Sequence, residues 1–284
     1  MHNVEWIELA CLMEATARKP GNVHPGKAFV DLCYDDFVQA ARAIAEPLAA
    51  IPNVRLGRGI LNAVRQTRIA TGTNVNLGIV LLLAPLVAVP QDVPLENGIH
   101  SVLDQTTIDD AAQVFEAIRI AQPGGIGKAT SQDIAESPTV NLKEAMALAA
   151  DRDRIAEQYV TGFRLVFAAR QKLCELLAGL NKWDDSIVFL QLWIMSQWPD
   201  TLISRKCGLK VADEASIQAA KLINGATNLS DIDGGKLFEF DEWLRADGHR
   251  RNPGTTADLI AATLFVGLRD GLIAAPSRQE FEIG

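Results

Sequence analysis

Helical periodicity runs through almost the whole sequence and limits the fold more than any other feature. Apolar residues recur every three or four positions in segments that are separated by short interruptions. These segments are residues 4–17, 35–50, 57–70, 75–88, 107–120, 142–148, 151–180, 184–197, 211–224, 236–247 and 256–270. Alternating strand patterns bounded by hairpin turns are missing. The sequence therefore predicts an all-α fold.

The interruptions are clusters of glycine and proline, and none of them is a low-complexity linker. A chain of 284 residues with 48% hydrophobic residues can bury a large core. The longest apolar run, residues 77–90, is interrupted by Pro85 and is too short for a bilayer span, which needs about 20 residues. We predict a single multi-helix domain, residues 1–284, with buried apolar central helices and no membrane partner.

The charge and the cysteines limit the classes of function. A net charge of −8 argues against a nucleic-acid-binding protein, which needs a basic face. Small anionic ligands remain compatible with it, because basic clusters occur locally on acidic proteins. The four cysteines show no CxxC pairing, and the N-terminus lacks the basic region of a signal peptide. We therefore expect a cytoplasmic protein.

The stretch EATARKPGNVHPG, residues 14–26, is unusual for the end of a helix. It combines two prolines and two glycines with a carboxylate, two cations and a histidine, whereas one Gly or Pro suffices to end a helix. In helical projection Glu14 lies on the apolar face, beside Ile7 and Ala10. Because a buried carboxylate is costly without a partner, two interpretations remain. Either the helix end is frayed and Glu14 reaches water, or Glu14 lines a cleft.

The turn after Glu14 supplies further candidates for ligand binding. Pro20 ends the helix and Gly21 permits a turn that a side chain would block. We expect this turn to direct Lys19 and Asn22 towards a ligand and to leave His24 on the loop.

Two other Gly-rich segments precede apolar helices. In TGTNVNLG, which ends at Gly78, Thr73 or Asn74 can cap the next helix. In NPGTTAD, Thr255 can cap and Asp258 stands three residues later, as in a capping box. Free N–H groups at such helix starts are natural phosphate sites, although ordinary capping is the simpler interpretation of each.

Charged residues in two further segments have both a functional and an ordinary interpretation. Asp200 stands shortly before Arg205 and Lys206, which form either part of a site or a solvated pair. Asp151 begins DRDR and is either a helix cap or a metal ligand. GGIGKAT, residues 124–130, only resembles a phosphate loop. Gln122 stands where the first Gly is required, and Ala129 stands where a Ser or Thr must follow the lysine.

The order of these segments resembles the triphosphoribosyl-dephospho-CoA synthase family over residues 6–270. An N-terminal Glu followed by Lys-Pro-Gly corresponds to Glu14 and residues 19–21. A Gly-x-Asn segment that opens an apolar helix corresponds to residues 72–78, and an Asp-Thr segment to residues 200–208. The most specific match is PGTTADLIA, which corresponds to Pro-Gly-Gly-Ser-Ala-Asp-Leu-Leu-Ala in the family.

The resemblance implies an all-α enzyme in which the 2′-hydroxyl of dephospho-CoA attacks the ribose of ATP, adenine leaves, and the triphosphate stays attached. The candidate catalytic carboxylates are then Glu14, Asp200 and Asp258. The resemblance does not say which of them is the base, which donates a proton and which stabilises charge at the ribose. The candidate ATP-binding residues are Lys19, Gly21, Asn22, His24, Thr73, Asn74, Asn76, Gly78, Arg205, Lys206, Gly254 and Thr255. The candidate Mg²⁺ ligands are Asp151, Asp200 and Asp258.

Two departures from the family pattern leave the acceptor open. Asn76 and Leu77 stand where His-Lys is expected, and a central Arg-Gly-Glu-Ala segment is absent. The alternatives are a ribosyl- or phosphoribosyl-transfer enzyme of methanopterin-type one-carbon cofactor biosynthesis, and a nucleotide-binding protein without catalysis. The expected partners are ATP and dephospho-CoA or a related acceptor, with a homodimer as a further expectation.

Overall fold

The computed structural model describes residues 2–122, 134–179 and 182–276. Within these ranges the chain forms fourteen α-helices and no β-strand, which confirms the predicted all-α class. The first seven helices are α1 (Asn3–Thr16), α2 (Tyr34–Ala49), α3 (Leu56–Thr71), α4 (Leu77–Ala88), α5 (Leu95–Asp104), α6 (Ile108–Ala121) and α7 (Leu142–Ala147). The other seven are α8 (Arg154–Thr161), α9 (Arg164–Ala178), α10 (Trp183–Gln197), α11 (Thr201–Cys207), α12 (Leu209–Ile223), α13 (Gly234–Arg245) and α14 (Gly254–Arg269).

The predicted helix 151–180 is wrong as a single element, because the chain breaks between α8 and α9. Gly162 and Phe163 both adopt the left-handed conformation, with φ of 64° and 63°. A side chain at Gly162 would also overlap the His100 ring in its present position. Helices α5 and α11 are additions to the predicted set. Both are short, and a short helix gives a weak periodic signal.

Helices α4 and α14 form the centre of the fold. They are the buried apolar central helices that the sequence predicts. Residues Gly78–Val87 of α4 are all buried, and α14 is buried from Leu259 to Leu268. Arg269, which ends α14, donates hydrogen bonds to the Val89 and Pro90 carbonyls beyond the end of α4. One hydrophobic cluster, mostly of Leu, Ile, Val and Ala, connects these helices with α1, α2, α3, α10 and α12.

Helix packing brings the segments selected from the sequence together. Helix α14 packs against α1, α4 and α11, and α8 packs against α4 and α7. The end of α1 and the starts of α4 and α14 consequently lie in one region of the molecule. None of the helices in the described ranges has the length and hydropathy that a membrane span requires.

Candidate active site

A cavity of about 670 Å³ lies where these helix ends meet. Ten of the residues selected from the sequence line it, namely Glu14, Asn22, Asn74, Asn76, Gly78, Arg205, Lys206, Gly254, Thr255 and Asp258. The helix starts near Asn74 and Thr255 therefore face the same cavity. The other six candidates lie outside the lining, namely Lys19, Gly21, His24, Thr73, Asp151 and Asp200.

Glu14 faces the cavity and is almost completely buried, with 4% of its surface exposed. The frayed-end interpretation is therefore wrong. Its partner is Lys19, whose ammonium is fully buried and lies 2.9 Å from the Glu14 carboxylate. Lys19 also donates to the carbonyls of Glu14 and Ala17. Contrary to the expected direction, the turn folds Lys19 back onto Glu14 instead of towards a ligand, because a buried cation needs an anion.

Gly21 is required by packing around the turn. It has a φ of +73°, and a side chain there would overlap Leu244 and Pro253. Its N–H donates to Asp241 of α13 at 2.7 Å. The structure thus places Gly21 against the segment that leads into α14, and Asn22, the next residue, reaches the cavity.

His24 belongs to the loop rather than to the cavity wall. Its backbone pairs with that of Lys27, and its Nδ1 accepts a hydrogen bond from the Gly26 N–H at 3.1 Å. Burial, followed by the Arg245 charge, lowers the pKa of His24 to about 4. The ring is therefore neutral near physiological pH and well suited to accept this hydrogen bond.

The start of α4 is organised by two asparagines. Asn76 occupies the N-cap position of α4 without a side-chain cap hydrogen bond, so the prediction that Thr73 or Asn74 caps this helix is wrong. Asn74 instead accepts a hydrogen bond from the Leu77 N–H at 3.3 Å from outside the cap position. Asn76 is buried and accepts from the Thr67 hydroxyl at 3.1 Å. Thr73 is bound to the preceding turn through its backbone. The Thr71 hydroxyl donates to the Thr73 carbonyl and accepts from the Thr73 N–H.

Gly78 and Asp258 bring α4 and α14 into contact at the cavity. A side chain on Gly78 would overlap the Asp258 carboxylate and Ile155. Burial raises the pKa of Asp258 well above its ordinary value, and the negative charge of Glu14 raises it further. The cavity thus contains one carboxylate with a buried counter-ion and a second that favours its protonated form.

Thr255 does not cap α14, because the helix already begins at Gly254. The cap comes from outside the helix. Asp200 accepts from the backbone N–H and the hydroxyl of Thr256, both at 2.8 Å. Its other oxygen accepts from the N–H groups of Leu202 and Ile203 at the start of α11. Asp200 is therefore a shared cap of two helices behind the cavity wall.

Cations line the cavity near the end of α11. Arg205 lies 3.4 Å from Asp153, and Arg152 and Lys206 also reach the lining. Burial, followed by the neighbouring Arg205 charge, lowers the pKa of Lys206. A cavity rich in cations attracts anionic ligands such as phosphates.

Asp151 is placed differently from its predicted role. Its side chain is 81% exposed and contacts Arg152 outside the cavity. The cap of α8 is Asp153, which accepts from the Ile155 and Ala156 N–H groups and lines the cavity. A helix boundary shifted by two residues explains why the sequence pointed to the wrong aspartate.

Several lining residues were not selected from the sequence. The polar ones are Arg152, Asp153, Ser204 and Asn252. An apolar wall from α6 and α7 consists of Val114, Phe115, Ile118, Leu142, Ala145 and Met146. Apolar residues of this kind look like core positions in the sequence. Only the placement of α6 and α7 shows that they face a cavity.

The predicted metal ligands do not form a cluster. In residues 2–122, 134–179 and 182–276, no three His, Cys, Asp or Glu side chains are arranged to hold a metal ion. Of Asp151, Asp200 and Asp258, the cavity is lined by Asp258 alone. The GGIGKAT segment lies outside the described residues.

Comparisons with known proteins show the family to which the chain belongs. The sequence matches the family of ATP:dephospho-CoA triphosphoribosyl transferase, CitG, over residues 2–276. A crystal structure of a candidate triphosphoribosyl-dephospho-CoA synthase from Archaeoglobus fulgidus is similar, with a TM-score of 0.65 and 27% identity. The match covers 82% of this chain and 99% of that one. No curated protein matches significantly. The chain therefore belongs to the ATP:dephospho-CoA triphosphoribosyl transferase family, and it is a transferase.

Proposed function

We propose that this protein transfers the triphosphoribosyl group of ATP to the 2′-hydroxyl of dephospho-CoA and releases adenine. The observation that carries the proposal is the cavity in which Glu14 and Asp258 lie with three cations at converging helix ends. Family membership supports ATP and dephospho-CoA as the substrates. Release of adenine follows from the chemistry of displacement at the ribose carbon.

The triphosphate binds, in this proposal, to Arg152, Arg205 and Lys206. Guanidinium groups hold phosphate oxygens in pairs, and the lysine adds a point charge. The start of α14 contributes its positive dipole end at Gly254 and Thr255. Lys19 is not part of this set, because it is buried behind Glu14.

Asp258 acts as the proton donor to adenine. Its raised pKa keeps the carboxyl group protonated at a pH where an ordinary aspartate is ionised. As the bond between the ribose C1′ and adenine breaks, the electron pair goes to the base and the Asp258 proton neutralises it. Adenine then leaves as a neutral molecule.

Glu14 acts at the other side of the reaction. Lys19 holds its carboxylate in place with a buried ion pair. The carboxylate stabilises the positive charge that develops at C1′ and accepts the proton of the attacking 2′-hydroxyl. The new bond joins C1′ to that oxygen, so the proton lost to Glu14 balances the proton that Asp258 donates.

In this proposal Mg²⁺ binds together with the triphosphate. Mg²⁺ usually keeps several waters and is held by one or two carboxylates plus substrate phosphates. Asp258 is the candidate carboxylate in the lining, but a metal ligand must lose its proton, and proton donation requires that Asp258 keep it. We therefore assign Asp258 to the proton and leave the metal to the phosphates.

The test is incubation of the purified protein with ATP, Mg²⁺ and dephospho-CoA, followed by mass spectrometry of the products. We expect free adenine and triphosphoribosyl-dephospho-CoA in equal amounts. Adenine released only with another acceptor would favour the divergent enzyme that Asn76 and Leu77 suggest. Binding of ATP without adenine release under any condition would favour a nucleotide-binding protein. The homodimer stays a prediction. Light scattering on the same sample would give the molar mass in solution and so test it.

A further inference from the structure

Gln191 in α10 is fully buried, yet its amide is only half satisfied. Its Nε2 donates to the Pro20 carbonyl at 2.9 Å and to Asn22 Oδ1 at 2.8 Å. Its Oε1 has no hydrogen-bond partner in the part of the chain that the structure describes. An unpaired buried acceptor reduces stability. The contribution of Gln191 must therefore come from what Nε2 does.

The Pro20 carbonyl fixes the orientation of three amides in a row. A carbonyl oxygen only accepts hydrogen bonds, so Gln191 must turn Nε2 towards it. The second hydrogen on Nε2 then requires Asn22 to present Oδ1. Asn22 Nδ2 consequently donates to Asn252 Oδ1, at 2.7 Å. Asn252 is left with its Nδ2 amino group turned away from Asn22.

Two of these three side chains reach the cavity. Asn22 and Asn252 line it, whereas Gln191 lies behind them and outside the lining. Because Asn252 Oδ1 already accepts from Asn22, we expect a ligand to meet the amino group of that side chain. An N–H donor suits a phosphate oxygen, whereas the carbonyl oxygen of a reversed amide would repel it.

Two residues besides Gln191 hold the backbone of the turn. Asp241 accepts from the Gly21 N–H at 2.7 Å, and Arg245 donates to the Asn22 carbonyl. Arg245 is in turn paired with Asp241 at 2.7 Å. Removing the Gln191 amide should thus release the Asn22 side chain without displacing the turn.

We propose that Gln191 is a positioning residue that acts through Asn22 to make Asn252 present an N–H donor to the triphosphate of the nucleotide. This inference rests on the proposed function for the identity of the ligand. Gln191 itself does not touch the substrate.

The matched pair of variants is Gln191→Met and Gln158→Met. Gln158 is equally buried, and its amide bonds to Arg154 O and the Leu165 N–H at the corner between α8 and α9. We expect Gln191→Met to raise the Kd of Mg²⁺-ATP about tenfold, which corresponds to about 1.4 kcal/mol, and Gln158→Met to leave it unchanged. Isothermal titration calorimetry on the full chain measures both.

A double-mutant cycle distinguishes positioning from a general effect on the fold. If Gln191 acts through Asn252, Gln191→Met should add no further loss of affinity to Asn252→Ala. Selective ¹⁵N labelling of asparagine gives a readout without nucleotide, in which Gln191→Met should shift the Asn252 side-chain signal and Gln158→Met should not. Equal ATP affinities of wild type and Gln191→Met, or additive losses in the cycle, would overturn the inference. Wild-type protein that releases no adenine would overturn the proposed reaction. A lower ATP affinity of Gln191→Met in that same protein would still support the positioning role of Gln191.

Discussion

At the scale of single residues, two carboxylates in one cavity have different surroundings. Glu14 has a buried ammonium at 2.9 Å. Burial raises the pKa of Asp258, and the negative charge of Glu14 raises it further. A carboxyl group that favours its protonated form beside a carboxylate paired with a cation is an arrangement typical of acid–base catalysis. This difference is the basis for the division of roles that we propose.

Replacing Glu14 should affect both activity and stability. Glu14→Gln removes the anion that balances Lys19, and breaking a buried ion pair costs about 3–5 kcal/mol. The single variant is therefore expected to be less stable than wild type. The control is the double variant Glu14→Gln/Lys19→Met, which should recover most of the free energy of unfolding. Adenine release should stay low in both, and recovery of activity in the double variant would remove Glu14 from the mechanism.

Asp258→Asn should lower kcat for adenine release by about 10²- to 10⁴-fold, the usual contribution of a general acid. In wild type, activity should fall as pH rises through the raised pKa of Asp258, because the proton is then lost. The variant should lack this alkaline limb. The affinity for Mg²⁺-ATP should be nearly unchanged. A large loss of Mg²⁺-dependent binding would show instead that Asp258 holds the metal.

The same substitution should stabilise the protein above neutral pH. The pKa of Asp258 is raised from 3.8, so the folded protein keeps a proton that the unfolded chain loses. Stability therefore decreases as pH rises from the ordinary pKa through the raised one. An asparagine at this position does not titrate, so the advantage of the variant should vanish near about pH 4 and grow as the pH rises towards the raised pKa of Asp258. Urea unfolding without nucleotide at several pH values measures this difference.

At the scale of helices, the site depends on how the starts of α4, α11 and α14 are held together. Asp200 caps α11 and α14 with one carboxylate, and Gly78 lets α4 approach Asp258. Both contacts join helices that are far apart in the sequence. Changes at these two positions should therefore move the cavity wall.

Asp200→Ala should destabilise the protein more than the loss of an ordinary cap. It removes four hydrogen bonds and leaves N–H groups of two helices unpaired, which we expect to cost about 2–4 kcal/mol, roughly twice one cap. Asp233→Ala is the matched control, because Asp233 caps only α13 at an exposed position. It should cost about 1 kcal/mol and keep full activity. Denaturant unfolding compares them, and equal losses would contradict the shared cap.

Gly78→Ala should disturb the contact between α4 and α14. The new methyl group would overlap the Asp258 carboxylate and Ile155, so we expect a loss of about 1–3 kcal/mol and much lower kcat. Gly234→Ala is the control, since a methyl group there meets no atom within 4 Å. That variant should be as active as wild type. Equal activity of the two variants would show that the Gly78 contact is unimportant.

At the scale of the whole molecule, the cavity joins segments from residue 14 to residue 258, so ligand binding should stabilise the complete fold. Mg²⁺-ATP at one hundred times its Kd should add about 2.7 kcal/mol, or about 5–10 °C in Tm. Adenosine, which lacks the phosphates that the cations bind, should raise Tm much less. The ATP effect should shrink as salt increases. Scanning calorimetry checks this, and equal shifts from both ligands would contradict a cationic triphosphate site.

The sequence by itself determined the all-α class, the buried helix α4 and the inward face of Glu14. Each depends on residues within a few positions of one another, and helical periodicity or capping chemistry describes such short ranges well. The same local rules identified most of the polar residues that line the cavity.

Only the tertiary structure decided the roles of Lys19, Asp200 and Gln191. Lys19 folds back onto Glu14, Asp200 caps a helix 56 positions away, and Gln191 bonds to Asn22 across 169 positions. The packing of α10 and α14 against α1, and of α11 against α14, creates the contacts of Gln191 and Asp200. A buried polar group bonds to whichever partner packing brings near, and sequence spacing carries no information about that partner.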